Sequence, residues 1–367
     1  MLADEAFEYQ WPYLLSLLPP AAMLDAGATE CGAISRKRSV DSASTLLRLA
    51  LVYSVCGYSL RQTAAWAESR GIASLSDVAL FKRLCKCQSW LGQLLAVKLA
   101  DRAPIPTSTL RLRLIDATSL SQPGSLTADW RIHLGFDPAS MAIDHIEVTD
   151  RSGAESLTRF AVAPNEVALA DRGYAHRAGL WHIHQSGGHF VVRTNWLNVP
   201  LTDEAGARLN LLTLARSLDE AQAGSFAVRV AADSTRQIPS FGLRLVVLRK
   251  SEAAATVSRQ WARRAANRGC RMVDPRTLEA AGYVFLLTSL PEHVGANQVL
   301  ELYRFRWQIE LAFKRLKSIL QLGVLPAKNP ALARTILYGK LLGALLLEDF
   351  TSRFLAISPW GYPLRLT

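Results

Sequence analysis

The spacing of apolar and polar positions changes character along the chain. Up to about residue 108 it is helical. The run from Ser44 to Val55 is broken by Gly57, Ser59 stands where it can cap LRQTAAWAESRG, and Gly71 closes that helix. Ser76 then caps DVALFKRLCK. From 109 the period becomes two: Leu110, Leu112 and Leu114 alternate with Arg111 and Arg113, predicting a strand that runs into Asp116 and ends there. Further strands are expected at 130–136, 141–149, 166–170 and 189–194, with a helix at 175–187 between the last two. Strands followed by a helix and another strand indicate an α/β layer structure.

Residues 196–280 read as a separate insertion, with two apolar strands (225–232 and 243–250) and then the basic stretch VSRQWARRAANRGCR. The core pattern resumes at 282–288, and 331–357 is helical and apolar. These patterns predict a helical domain at 1–108, a core built from 109–195 plus 281–350, a β-rich insertion at 196–280, and a tail at 351–367 with no assigned role.

The segment ELYRFRWQIELAFKRLKSIL, 301–320, predicts one continuous helix. At about 100° per residue, Tyr303, Arg306, Glu310, Lys314 and Lys317 fall within an arc of roughly 80°, while Phe305, Ile309, Ala312, Leu316 and Ile319 form the opposite, core-facing side. One acid inside a cationic stripe suits a site where cations hold a polyanion and the acid holds a metal. It equally suits a solvated face with a Glu310–Lys314 pair.

Charge narrows the choice of partner. Forty-two Lys and Arg against 31 Asp and Glu give +11, which favours nucleic acid, although a membrane surface would also fit. Asp4, Glu5 and Glu8 argue against a signal peptide. Arg334, Lys340, Glu348 and Asp349 interrupt the apolar stretch 332–350, so no membrane span is expected. Five cysteines without zinc-type spacing point to reduced thiols in the cytosol. The two short helices at 59–86 fit a helix-turn-helix with Lys82, Arg83 and Lys86 on the second, or a plain helical bundle.

Two aspartates stand at expected strand ends, Asp116 in LRLIDAT and Asp171 in VALADRGY, where open α/β sheets gather ligand-binding side chains. Together with Glu310 they make three carboxylates, enough for a pair of Mg²⁺ ions.

These residues resemble a DDE transposase of the bacterial insertion-sequence type, in the subgroup with a Tyr-Arg-Glu-Lys signature. Tyr303, Arg306, Glu310 and Lys317 match its Y-x2-R-x3-E-x6-K form at every spacing. DRGYAHRAGL resembles the family's Asp-Arg-Gly-Tyr segment and IDATSL its Asp-Gly/Ala-Thr segment. The resemblance spans roughly 109–350. It implies a ribonuclease-H-like mixed sheet with helices on both faces, catalysis by Asp116, Asp171 and Glu310 on two Mg²⁺ (Mn²⁺ substituting), and DNA contacts from Tyr303, Arg306, Lys314, Lys317 and Arg172. It also implies double-stranded DNA as partner (terminal repeats and target), a homodimer on paired ends, and a cytoplasmic, nucleoid-associated protein. Some relatives stack a flipped base on a tryptophan before the signature helix; that position is Val284 here, flanked by Tyr283 and Phe285.

His133 is expected to be structural, and Glu155 and Asp150 to be capping residues or groups that orient the metal ligands. Arg259, Arg263, Arg264, Arg268 and Arg271 would either track phosphates or form a solvated helix surface. An inactive DNA-binding derivative and a metal-dependent nuclease stay open as alternatives.

Overall fold

A computed structural model describes residues 7–37, 39–100, 102, 109–323, 325–355 and 358–360. The expected domain boundary at 108/109 adjoins residues outside that set. A nine-stranded mixed sheet runs through the α/β part in the order β3-β2-β1-β4-β5-β9-β8-β7-β6. The first three strands, β1 (Arg111–Leu120), β2 (Trp130–Asp137) and β3 (Ala142–Asp150), form an antiparallel meander. Next to β1, β4 (Glu166–Ala170) and β5 (His189–Thr194) run parallel to it. All five residues of β4 are buried, as a central parallel strand covered on both faces requires.

Alternation assigns each strand residue to one of two cores. Leu112 and Leu114 of β1, Val167 and Leu169 of β4 and Leu286 face one core, whereas Ile115, Ala168, Ala170 and Leu287 face the other. On the first face lie the N-terminal helices α1 (Trp11–Ser16), α2 (Ala21–Glu30), α3 (Ala43–Val55), α4 (Leu60–Ser69), α5 (Asp77–Leu84) and α6 (Gln88–Ala100). The second face is covered by α7 (Arg177–Gln185) and α8 (Leu211–Arg216), with the short α10 (Pro275–Ala280) packed beside α8. The expected caps are in place, with Ser59 and Gln62 forming a capping box and Ser76 accepting from Ala79 N; Ser42, which accepts from Thr45 N, is a cap that the expected run from Ser44 did not include.

Four expectations are corrected by the tertiary contacts. First, β1 does not stop at Asp116; it continues to Leu120, because β2 goes on pairing with it as far as Leu120↔Trp130. Second, the strands within 196–280 do not stand apart. β6 (Leu201–Thr202), β7 (Ala223–Val230) and β8 (Phe241–Arg249) extend the same sheet, since β8 pairs with β9 (Tyr283–Thr288), which pairs with β5.

Third, the N-terminal helices share one core with the long helix α13 (Pro330–Leu355), against which α3 and α6 pack. Thr335 Oγ1 donates to Leu84 O at 2.7 Å, tying α13 to the end of α5. By length and composition α13 could cross a membrane, yet 72% of its apolar window is buried inside the fold. Fourth, the tail is used: Trp360 is fully buried, its indole N–H donates to Glu348, and Ser358 Oγ donates to Met141 O at 2.7 Å. Residues 361–367 lie outside the described residues.

Candidate functional site

The last parallel pair between β1 and β4 is Ile115↔Ala170, followed by Asp116 within β1 and by Asp171 just past the end of β4. Both acids therefore sit where the two strands part, although β1 itself continues. Beyond Asp171 the chain tightens into a 3₁₀ turn, Arg172–Tyr174. Asp116 accepts from Ala117 N at 2.8 Å, and Asp171 accepts from the Tyr303 hydroxyl at 3.2 Å.

Their electrostatics differ. Burial raises the Asp116 carboxyl to about 6, with Asp171 and Glu155 adding to the rise and Arg306 opposing it. Burial pushes Asp171 the same way, but the Arg172 backbone N–H and the Arg306 and Arg193 charges outweigh it, and its carboxyl ends below the usual value. Tyr303 is raised, first by burial and then by the charge of Asp171. The family resemblance makes it a phosphate contact; in this structure its hydroxyl bonds Asp171.

The segment carrying the signature is not one helix. It breaks into α11 (Ala296–Arg304) and α12 (Trp307–Ile319), joined through Phe305 and Arg306 by i→i−3 bonds such as Arg306 N to Tyr303 O. The buried side of α12 is Ile309, Ala312, Phe313 and Leu316; Ile319, expected in the core, is 48% exposed in the last turn. Arg306 Nη2 donates to Glu310 Oε1 at 2.6 Å and its guanidinium lies 5.7 Å over the Tyr303 ring. Arg306 is largely buried, whereas the Glu310 side chain is 56% exposed. Lys314, Lys317 and Arg172 are exposed, so they are free to meet a ligand.

The three carboxylates are thus not gathered as one set. Among the described residues no three Asp, Glu, His or Cys side chains come together closely enough to hold a metal ion, and Glu310 is turned to Arg306. The two aspartates do fit a divalent cation. They are neighbouring oxygen donors, and the raised Asp116 carboxyl marks a place where negative charge is under-compensated. Glu310 is held by a single ion pair on an exposed helix face, so a cation competing with Arg306 can release it.

Beside Asp171 opens a groove lined by Arg172, Arg193, Lys250 and Arg268 together with Trp196 and Trp261. Arg193 and both tryptophans escaped the sequence reading. Arg193 had the signal of an arginine ending an apolar strand, but nothing local separates it from other strand-end cations. The helix α9 (Glu252–Arg268) that carries Trp261 buries only Ala255, and Trp261 itself is 58% exposed under the Arg264 guanidinium. In the basic stretch, Arg259 pairs with Glu252 while Arg268 lines the groove. Tyr283 and Phe285 also line it, Phe285 mostly buried, and Val284 is partly buried against the core. His133 is structural as expected: it is buried, bonded to Thr149 through Nε2 at 3.1 Å, and held near 4 by burial first and the Arg159 and Arg131 charges second. Asp150 caps the turn at Ser152.

A family model for the transposase DDE domain matches residues 107–347. InsL of insertion sequence element IS186A from Escherichia coli K12 is 40% identical over 354 residues, covering 95% of this chain and 96% of that protein. The transposase for insertion sequence element IS421 of Escherichia coli is 40% identical over 355 residues with the same coverage. Among solved structures, a piggyBac transposase synaptic complex with hairpin DNA aligns at TM-score 0.43 and 10% identity, over 94% of this chain and 80% of that one. That last match is too loose to bear on the site.

Proposed function

Because this chain belongs to the transposase DDE domain family, we propose that Asp116, Asp171 and Glu310 carry a two-metal-ion DNA cleavage and strand-transfer reaction. The chain is a DNA transposase, an enzyme that works with divalent metal ions on DNA. The observation that carries the site assignment is the pairing of Asp116 and Asp171 just past Ile115↔Ala170, with Arg306 in electrostatic reach of both and bonded to Glu310. Supporting a ribonuclease-H-like reading, the order β3-β2-β1-β4-β5 has three antiparallel strands followed by two parallel ones.

When bound, two Mg²⁺ (or Mn²⁺) would lower the pKa of the attacking water or 3′-hydroxyl and stabilise the leaving oxygen. Asp116 and Asp171 would hold the metal, and Glu310 would join them once its carboxylate leaves Arg306, which would free the guanidinium to take a DNA phosphate through its two-pronged edge. Lys314 and Lys317, exposed on the same helix, take neighbouring phosphates, and Arg172 holds the strand beside Asp171. The groove then accommodates the DNA strand, its cations meeting phosphates and Trp261 offering a stacking face. Element ends and target DNA are the substrates, and the enzyme works in the cytoplasm as a dimer on paired ends. The α4–α5 pair, with Lys82 exposed, adds a sequence-reading element.

The test is a matched terminal-repeat duplex with a supercoiled target plasmid and Mg²⁺ or Mn²⁺. Wild type is expected to yield metal-dependent cleavage and joined products, and Glu310→Gln neither. DNA binding without cleavage by the wild type, or wild-type cleavage by the Gln variant, overturns the assignment. Cleavage of unrelated or RNA–DNA hybrid substrates with no end preference would instead identify a nuclease.

A further inference from the structure

The loop that follows β3 places one more carboxylate at the site, and its anchoring is unusually complete for a loop. A Cβ on Gly153 would overlap Thr149, so only glycine lets the chain turn this closely over β3. Arg131 Nη1 donates to Gly153 O at 2.9 Å and Arg159 Nε donates to Ala154 O at 2.8 Å, which fixes the backbone up to Glu155. Arg159 is itself held by Glu147 at 2.6 Å.

Glu155 then reaches over the Asp171–Tyr174 turn. Its carboxylate occupies the space that a side chain at Gly173 would fill: a Cβ there would overlap Oε2 and stand 2.9 Å from Cδ. Among the described residues Glu155 makes no hydrogen bond or ion pair, yet its charge bears on both Asp116 and Tyr174. A second group lies within electrostatic reach of both Asp116 and Glu155. Tyr174 is fully buried and its hydroxyl has no hydrogen-bond partner, a costly state unless something else occupies the site. Asp171 has Arg306, Arg193 and Tyr303 around it; on the Asp116 side two acids and an orphan hydroxyl lie close together, opposed by Arg306 at Asp116 and by Arg131 and Arg159 at Tyr174.

We infer that Glu155 is a positioning residue of the metal site, accepting hydrogen bonds from the hydration shell of the cation that Asp116 and Asp171 hold, with the Tyr174 hydroxyl turned to the same shell. Mg²⁺ and Mn²⁺ retain several waters when few carboxylates bind them, and those waters need acceptors such as an unpaired carboxylate. Gly173 is the residue that makes room for it. The inference rests on Asp116 and Asp171 being the metal ligands.

The experiment is Mn²⁺ binding by the full-length protein without DNA, followed by calorimetry and by the electron-spin signal of free Mn²⁺, with circular dichroism and melting temperature as folding checks. Glu155→Gln, which keeps shape and removes charge, is expected to weaken Mn²⁺ about tenfold. Gly173→Ala, which displaces the carboxylate and leaves its charge, is expected to do the same. The double variant is expected to be no weaker than either single, since both changes remove one acceptor. Wild-type Mn²⁺ affinity in a folded Glu155→Gln protein overturns the inference, as does full additivity in the double. Asp116→Asn and Asp171→Asn separate the two readings. If they abolish binding while Glu155→Gln does not, only the role of Glu155 falls; if they bind as wild type, the metal assignment itself fails.

Discussion

Asp116→Asn should stabilise the metal-free protein at pH 8 while abolishing its activity. The carboxyl is raised from 3.8 to about 6, mainly by burial, with Asp171 and Glu155 adding repulsion. A shift of that size corresponds to about 3 kcal/mol between the two protonation states. Asp116 keeps some solvent contact, so about 1–3 kcal/mol is the expected range. The sign follows from linkage. A folded-state value above the unfolded one means that the folded protein binds more protons between pH 4 and 6, so stability falls as pH rises through that window and the loss is complete above it. Asparagine keeps an acceptor for the Ala117 N–H and carries no charge to bury.

Thermal unfolding in chelator should therefore show the variant melting about 1–4 °C above wild type at pH 8 and at nearly the same temperature at pH 4. Adding Mn²⁺ at 100 times its dissociation constant should stabilise wild type by about 2.7 kcal/mol and leave the variant unmoved, narrowing or reversing the order. If the variant is no more stable than wild type at pH 8 without metal, the Asp116 carboxylate is not held at a cost.

Arg306→Gln removes the partner of Glu310 and a charge that lowers both aspartates, so the acidic limb of the cleavage pH profile should move to higher pH; an unmoved limb counts against the coupling. Trp360→Ala empties a fully buried site and should cost about 3–5 kcal/mol by denaturant titration, whereas a dispensable tail would give no change. In the groove, Trp261→Ala should weaken single-stranded DNA binding by about 1–3 kcal/mol with the salt slope retained. Arg268→Ala should reduce that slope by about 1; equal slopes in both variants would mean that neither residue meets the strand as described.

The local elements, and through the family resemblance the class of chemistry, are legible in the sequence. Caps at Ser59 and Ser76, the period-two run at 110–114, the buried run at 166–170 and the spacing of Tyr303, Arg306, Glu310 and Lys317 are all written within a few residues of one another. Contacts between distant segments were not legible there. Strand pairing made β6–β8 part of one sheet, since an edge left by β9 must find hydrogen-bond partners wherever the chain supplies them. Packing made α13 the core of the N-terminal helices. A helical wheel assumes an unbroken axis, and the tight turn at Phe305–Arg306 breaks it, so Tyr303 and the residues from Glu310 to Lys317 stand on two different helices. Glu155 stands 16 residues before Asp171 in sequence but over its turn in space, and only the folded chain brings the two together. Periodicity and capping are set by neighbours along the backbone, whereas the direction of a carboxylate is set by whichever charges and voids the rest of the fold brings to it.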